Sequence, residues 1–140
     1  MLKKIFQTDN AKTTIIIRLM VGAVFLSEGI QKFLFADTLG AGRFAKIGLP
    51  NPEFLAPFTG CFEIICGILV LVGLFTRLAA VPLFLIISVA IVTTKAQLLS
   101  TNGFWSVLHD SRTDWAMLLG TFFLIIKGGG SWSADKSLWK

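Results

Sequence analysis

Long apolar runs dominate this chain, and they restrict its folds more than any motif does. A helix of about 20 mainly apolar residues crosses a hydrocarbon core of roughly 30 Å, and the sequence of 140 residues has room for four such segments. Hydrophobic residues make up 54% of the chain and charged residues 15%, and the mean hydropathy is +0.76. Those values lie outside the soluble globular class. The expected fold is therefore all-α, a membrane-spanning four-helix bundle.

A polar arm over residues 1–13, with Lys3, Lys4, Asp9 and Lys12, precedes a first span at residues 14–35. Arg18 and Glu28 interrupt that span and no small-residue cleavage pattern follows it, which argues against a cleaved signal peptide. The second span, residues 54–75, follows a loop broken by Gly48, Pro50 and Pro52. The third, residues 78–99, begins almost at once, so the two form a tight antiparallel hairpin. Pro82 is expected at the start of the third helix, where its missing N–H costs little; a mild kink is the alternative. The fourth segment, residues 112–127, has an apolar core only from Trp115 to Ile126. That core is too short to cross alone, and a re-entrant segment is the competing reading. Residues 128–140 form a tail.

Four spans put both termini on one side. That side carries Lys3, Lys4, Lys12, Arg77, Lys127, Lys136 and Lys140, while Arg43, Lys46 and Arg112 fall on the other. The excess of Lys and Arg makes the terminal side cytoplasmic, an N-in/C-in arrangement. It also accounts for much of the net charge of +5 and the isoelectric point near 9.6. No basic patch interleaved with aromatics points to nucleic acid.

Four ionisable residues, Glu28, Lys32, Glu63 and Lys95, interrupt the apolar spans, and the topology places all four toward the outer side. A charge at mid-bilayer costs roughly 2.5 to 3.5 kcal/mol on insertion scales, so such residues turn inward, pair and mark sites. His109, Asp110, Arg112 and Asp114 fall on the same side and complete an outward-facing polar pocket. Glu28 and Lys32, four apart with the acid first, have the favoured spacing for a pair on one helix face. Gly60, Glu63 and Gly67 recur at offsets of three and four, a small-residue stripe that should face another helix. Glu63 is too short to reach the surface and needs a proton, a cation or a partner, with Lys32 or Lys95 to supply it. Against the pocket stands a purely structural reading, with Glu28 and Lys32 neutralising each other and Lys95 snorkelling to the interface.

The remaining residues constrain chemistry less. Arg18 is expected near the cytoplasmic end, its side chain reaching phosphate headgroups. Cys61 and Cys66 lie about 140° apart in helical projection, so they form no local redox pair and are read as small apolar core residues. His109 has no second His or Cys beside it and makes no metal site. Trp105, Trp115, Trp132 and Trp139 fall near span ends, where indoles anchor helices at the interface.

The run RLMVGAVFLSEGIQKF, with Gly22, Phe25, Gly29 and Lys32, resembles the first helix of the DoxX family of small bacterial membrane proteins. The stretch from Gly48 to Leu83 is similar to that family's loop, Glu-bearing second helix, Gly-Leu-x-Thr-Arg turn and third-helix start. Gly128 to Leu138 resembles its Gly-rich ending, with Gly129 and Ala134 departing from the usual Pro and Leu, and Asp114 stands where the family has Glu. The resemblance implies a four-helix bundle in the bacterial inner membrane and puts Lys32, Glu63 and Arg77 at motif positions. It also implies an association with membrane oxidoreductase systems, quinone-linked in the thiosulfate:quinone type and thiol-linked in others.

Three functions are kept apart on this basis. The first is a redox component that handles a quinone or similar lipophilic molecule, with Glu63, Lys32, Lys95 and His109 moving protons. The sequence carries no haem, flavin or metal motif, so an electron carrier would be a bound quinone or belong to a partner oxidoreductase subunit. The second is a transporter or permease subunit, which with so few helices requires a homo-oligomer. The third is a noncatalytic membrane scaffold.

Overall fold

Helix-forming apolar runs separated by Gly and Pro set the architecture. The computed structural model describes residues 2–139; Met1 and Lys140, the latter counted above among the terminal-side cations, lie outside them. All regular structure among the described residues is helical. Helix α1 covers Leu2–Phe6 and α2 Thr14–Leu34, followed by two short helices, α3 at Ala36–Leu39 and α4 at Ala41–Lys46. Helix α5 runs Pro52–Val72 and α6 Thr76–Ala90; α6 passes through a π-helical segment, Ile91–Lys95, into α7 at Ala96–Asn102. Helices α8 (Phe104–Asp110), α9 (Arg112–Lys127) and α10 (Ala134–Leu138) complete the chain.

Three of these helical stretches are long and apolar enough to cross a membrane: Thr14–Leu34, Pro52–Val72 and the 27-residue continuous helix Thr76–Asn102. Helix α9, with 16 residues, extends only about 24 Å at the α-helical rise, short of the hydrocarbon thickness. The second span starts and ends earlier than its hydropathy suggests. Pro52 opens α5, as a residue without an N–H can at a helix start, and Gly73 closes it at φ +79°. There the Gly73 and Leu74 N–H groups both donate to the Leu69 carbonyl, the left-handed stop that glycine permits at no steric cost.

The third span likewise begins at Thr76, not Leu78, which leaves Pro82 inside α6 instead of at its first turn. The turn between α5 and α6 also holds Phe75 at φ +49°, an unusual conformation for a residue with a Cβ. Asp135 stabilises it from the far end of the sequence, its Oδ1 accepting from Phe75 N at 2.7 Å and its Oδ2 from Thr76 N at 2.9 Å. A carboxylate thus caps α6, whose own N-cap residue supplies no side-chain acceptor.

Helix α2 packs on α5, α5 on α6, α6 on α9 and α9 on α2. The shared core holds Val21, Phe25, Val70, Leu83, Met117 and Leu124. Glycines set the α2 and α5 approach: a Cβ on Gly29 would lie 2.8 Å from the Gly60 carbonyl oxygen, and one on Gly67 3.1 Å from that of Gly22. The small-residue stripe of α5 therefore faces α2, as close packing between membrane helices favours. Large apolar side chains such as Ile16, Leu34, Ile65, Leu85 and Leu119 lie exposed around the outside, the surface a hydrocarbon solvent accepts and water does not.

Arg18 does not reach toward headgroups. It is 2% exposed, and its guanidinium donates to the carbonyls of Val70 at 2.9 Å, Leu71 at 2.5 Å, Gly129 at 3.3 Å and Trp132. These contacts tie the end of α5 to the tail. Cys66 is buried, but Cys61 points to the exterior and is not a core residue.

Candidate functional site

Helix α2, descending toward its C-terminal end, and α5, entering from its N-terminal end, bring two opposite charges together. Lys32 Nζ lies 2.8 Å from Glu63 Oε2, with side chains 11% and 4% exposed. The sequence offers Lys32 two partners, Glu28 one turn away on the same helix and Glu63 on the neighbouring one. The structure pairs it with Glu63 across the helix interface, where Gly29 and Gly60 let the backbones approach. Burial decides the choice, because an exposed i,i+4 pair gains a few tenths of a kcal/mol while a buried carboxylate without a cation costs several. The ammonium and Oε2 are in direct contact, and no second donor to Oε2 is present among the described residues. Glu28 is exposed and makes no ion pair among the described residues.

A second pair forms between the third and fourth long helices. Lys95, the last residue of the π-helical segment, lies 3.2 Å from Asp114 Oδ2 in the first turn of α9 and donates to the Asp110 carbonyl at 3.0 Å. Its side chain is 13% exposed, so Lys95 is held inward and does not snorkel. The widened π turn is a departure from α geometry that recurs at functional sites.

Both pairs line one cavity of about 530 Å³ in the half of the molecule remote from the chain ends. Glu28, Lys32, Glu63, Lys95, Asp110 and Asp114 all contribute to its wall. Of the residues grouped with them from sequence, His109 and Arg112 do not: His109 is exposed, and Arg112 Nη1 turns to the His109 carbonyl at 2.6 Å. His109 falls on the exposed face of α8, while Asp110 of the same helix reaches the cavity.

Other wall residues escaped the sequence reading. Helices α3 and α4 roof the cavity, and Arg43 and Phe44 of α4 project into its lining; the short run AGRFAK carries no amphipathic signal long enough to read. Thr59, Thr93, Thr94 and Thr113 add hydroxyls from three elements, while Val24, Phe25, Ile86 and Met117 make apolar wall. A cleft of this size, with apolar side chains and convergent charged and hydroxyl groups, can hold a small molecule.

A family model described as DoxX matches residues 13–96, which include Lys32, Glu63 and Lys95. The chain is 49% identical over 143 residues to an uncharacterized membrane protein of Mycobacterium tuberculosis, covering 98% of this chain and 88% of that one. It is 28% identical over 127 residues to CatD of Bacillus subtilis, a protein named provisionally as an oxidoreductase, covering 91% and 87% of the two chains. No solved structure matches it.

Proposed function

The chain belongs to the DoxX family of membrane proteins, and from that membership and the polar cavity we propose that it is the quinone-binding or thiol-linked component of a membrane-associated redox system. The single observation that carries the reading is the buried Lys32–Glu63 pair on the wall of a cavity that combines apolar and polar surface. The provisional description of the Bacillus subtilis relative as an oxidoreductase points the same way.

In this reading α9 completes a four-helix membrane domain over residues 14–127, residues 1–13 and 128–140 are cytoplasmic, and the domain sits in the bacterial inner membrane with the cavity facing outward. The cavity fits a quinone headgroup: apolar walls accept the ring, and ammonium groups supply donors for carbonyl oxygens. A bound quinone supplies proton-coupled electron chemistry. Lys32 and Lys95, held on different helices, donate hydrogen bonds and orient the ligand. Glu63 Oε2 holds or releases a proton, and Lys32 compensates its charge when the proton leaves. A partner oxidoreductase subunit, or a thiol substrate, provides the electrons.

The test is the quinone content of protein extracted in native lipid and measured by mass spectrometry. Close to one quinone per chain, lost in Glu63→Gln with the fold retained, supports the reading. Quinone no higher than in the bulk lipid removes it. A transport role rests on the same cavity, and Lys95→Met would then abolish substrate uptake into vesicles. A scaffold role predicts that neither substitution alters anything but stability.

A further inference from the structure

A second cavity, of about 650 Å³, opens at the opposite end of the molecule, where both chain ends meet α6 and α9. Three separate elements supply cations to it: Arg77 in the first turn of α6, Lys127 at the end of α9 and Lys136 in α10. Asp9 and Asp135 also line the cavity, so the cations exceed the acids by one. Both oxygens of Asp135 already accept from the Phe75 and Thr76 N–H groups, which leaves that carboxylate directed at the α6 turn. Asp9 pairs with Lys127 at 3.2 Å, in a contact whose side chains are 35% and 50% exposed and therefore screened by solvent.

Among the described residues the Lys136 ammonium meets the neutral side-chain oxygen of Asn10 and no carboxylate. Arg77 donates from Nη1 to the Lys4 carbonyl at 3.1 Å, but its buried Nε has no acceptor among the described residues. Arg77 itself lines the cavity and is only half-buried, and of its five guanidinium N–H groups one hydrogen bond is made among the described residues, so donors remain for an oxygen ligand.

The rest of the wall indicates what kind of oxygen ligand. Phe6, Ile126 and Trp139 form an apolar flank, and Phe6 stacks on Trp139 with ring centroids 4.7 Å apart. Arg77 and Lys127 stand at the ends of apolar helices, and cations at such ends meet lipid phosphates when the helices lie in a bilayer. The guanidinium fork matches phosphate oxygens bidentately, and lysines add point charge.

We propose that this second cavity binds a phosphate ester, anchored by Arg77 with Lys127 and Lys136 at its rim, and that the headgroup of an anionic phospholipid is the source its apolar flank favours. The site is independent of the outward cavity and of the redox reading.

The experiment is thermal unfolding of the full chain in maltoside micelles, which carry no phosphate, titrated with phosphatidylglycerol or with inorganic phosphate at constant ionic strength. Saturable stabilisation by phosphatidylglycerol is expected, with apparent affinity about tenfold weaker in Arg77→Gln, the loss of one charge-assisted contact. Lys46→Gln, a cation at the other end of the molecule, leaves it unchanged. Saturation by inorganic phosphate with the same Arg77 dependence identifies free phosphate as the occupant. Should Arg77→Gln fail to fold, Lys136→Gln carries the same readout. No saturable stabilisation by either probe, or equal stabilisation of wild type and the cavity variants, overturns the proposal.

Discussion

Two buried charge networks, each joining elements distant in sequence, do most to define this molecule at the level of single residues. Removing one partner of the Lys32–Glu63 pair leaves the other charge buried, so Lys32→Met should destabilise the protein by about 3 kcal/mol. The double variant Lys32→Met with Glu63→Met should recover most of that loss. Denaturant unfolding of the four proteins in a double-mutant cycle checks both, and equal, additive losses would show that the pair is not coupled. Asp135→Ala strips the α6 turn of its two acceptors and should cost about 1–3 kcal/mol, read as a lower unfolding midpoint. In the arm, the hydrogen bond from Lys127 holds Asp9 below its ordinary value of 3.8. A carboxylate depressed on folding contributes stability above its unfolded range and loses it as pH falls through the lowered value. Replacing Lys127 by Met should therefore move the Asp9 titration, followed by NMR, upward.

Helix packing explains why some of this could be read from the sequence and some could not. Gly60, Glu63 and Gly67 at offsets of three and four identified the inward face of α5, because a small-residue stripe encodes close approach directly. Which helix it meets is not encoded locally, so spacing alone does not decide between Glu28 and Glu63 as the partner of Lys32. Adding a Cβ at Gly29 would press on the Gly60 carbonyl and the Glu63 Cβ, so Gly29→Ala should cost about 1–3 kcal/mol and separate the ion pair. Unfolding measurements on that variant, compared with alanine at the open, positive-φ Gly48, distinguish packing from backbone effects. Neither the π turn ending at Lys95 nor the short roof helices α3 and α4 left a periodic signal, since each is shorter than the window that reveals a period. Arg43 was missed for that reason. Asp135 was missed because a cap supplied from 59 residues away has no sequence spacing to betray it.

For the whole molecule, apolar content made the membrane assignment legible before any contact was known, and the short α9 is where hydropathy stops being decisive. Orientation rests on Lys and Arg placement and is open to direct labelling. In a chain with Cys61→Ser and Cys66→Ala, a cysteine at Lys46 should react with an impermeant maleimide in intact cells, and one at Lys136 only after lysis. The reverse pattern would invert the topology. The two cavities lie at opposite ends of the molecule, one lined by paired charges and apolar side chains and the other by an excess of cations among the chain ends. Occupancy of the first cavity by a small lipophilic redox ligand, as proposed, is tested most directly by photolabelling the protein with a short-chain azidoquinone and mapping the modified peptides by mass spectrometry. Labelling at cavity-lining positions between Val24 and Lys32 and between Thr93 and Asp114, competed by unlabelled quinone and lost in Glu63→Gln, is the result predicted. Uncompeted labelling of outward residues such as Ile16, Ile65 and Leu119, unchanged in that variant, would contradict it.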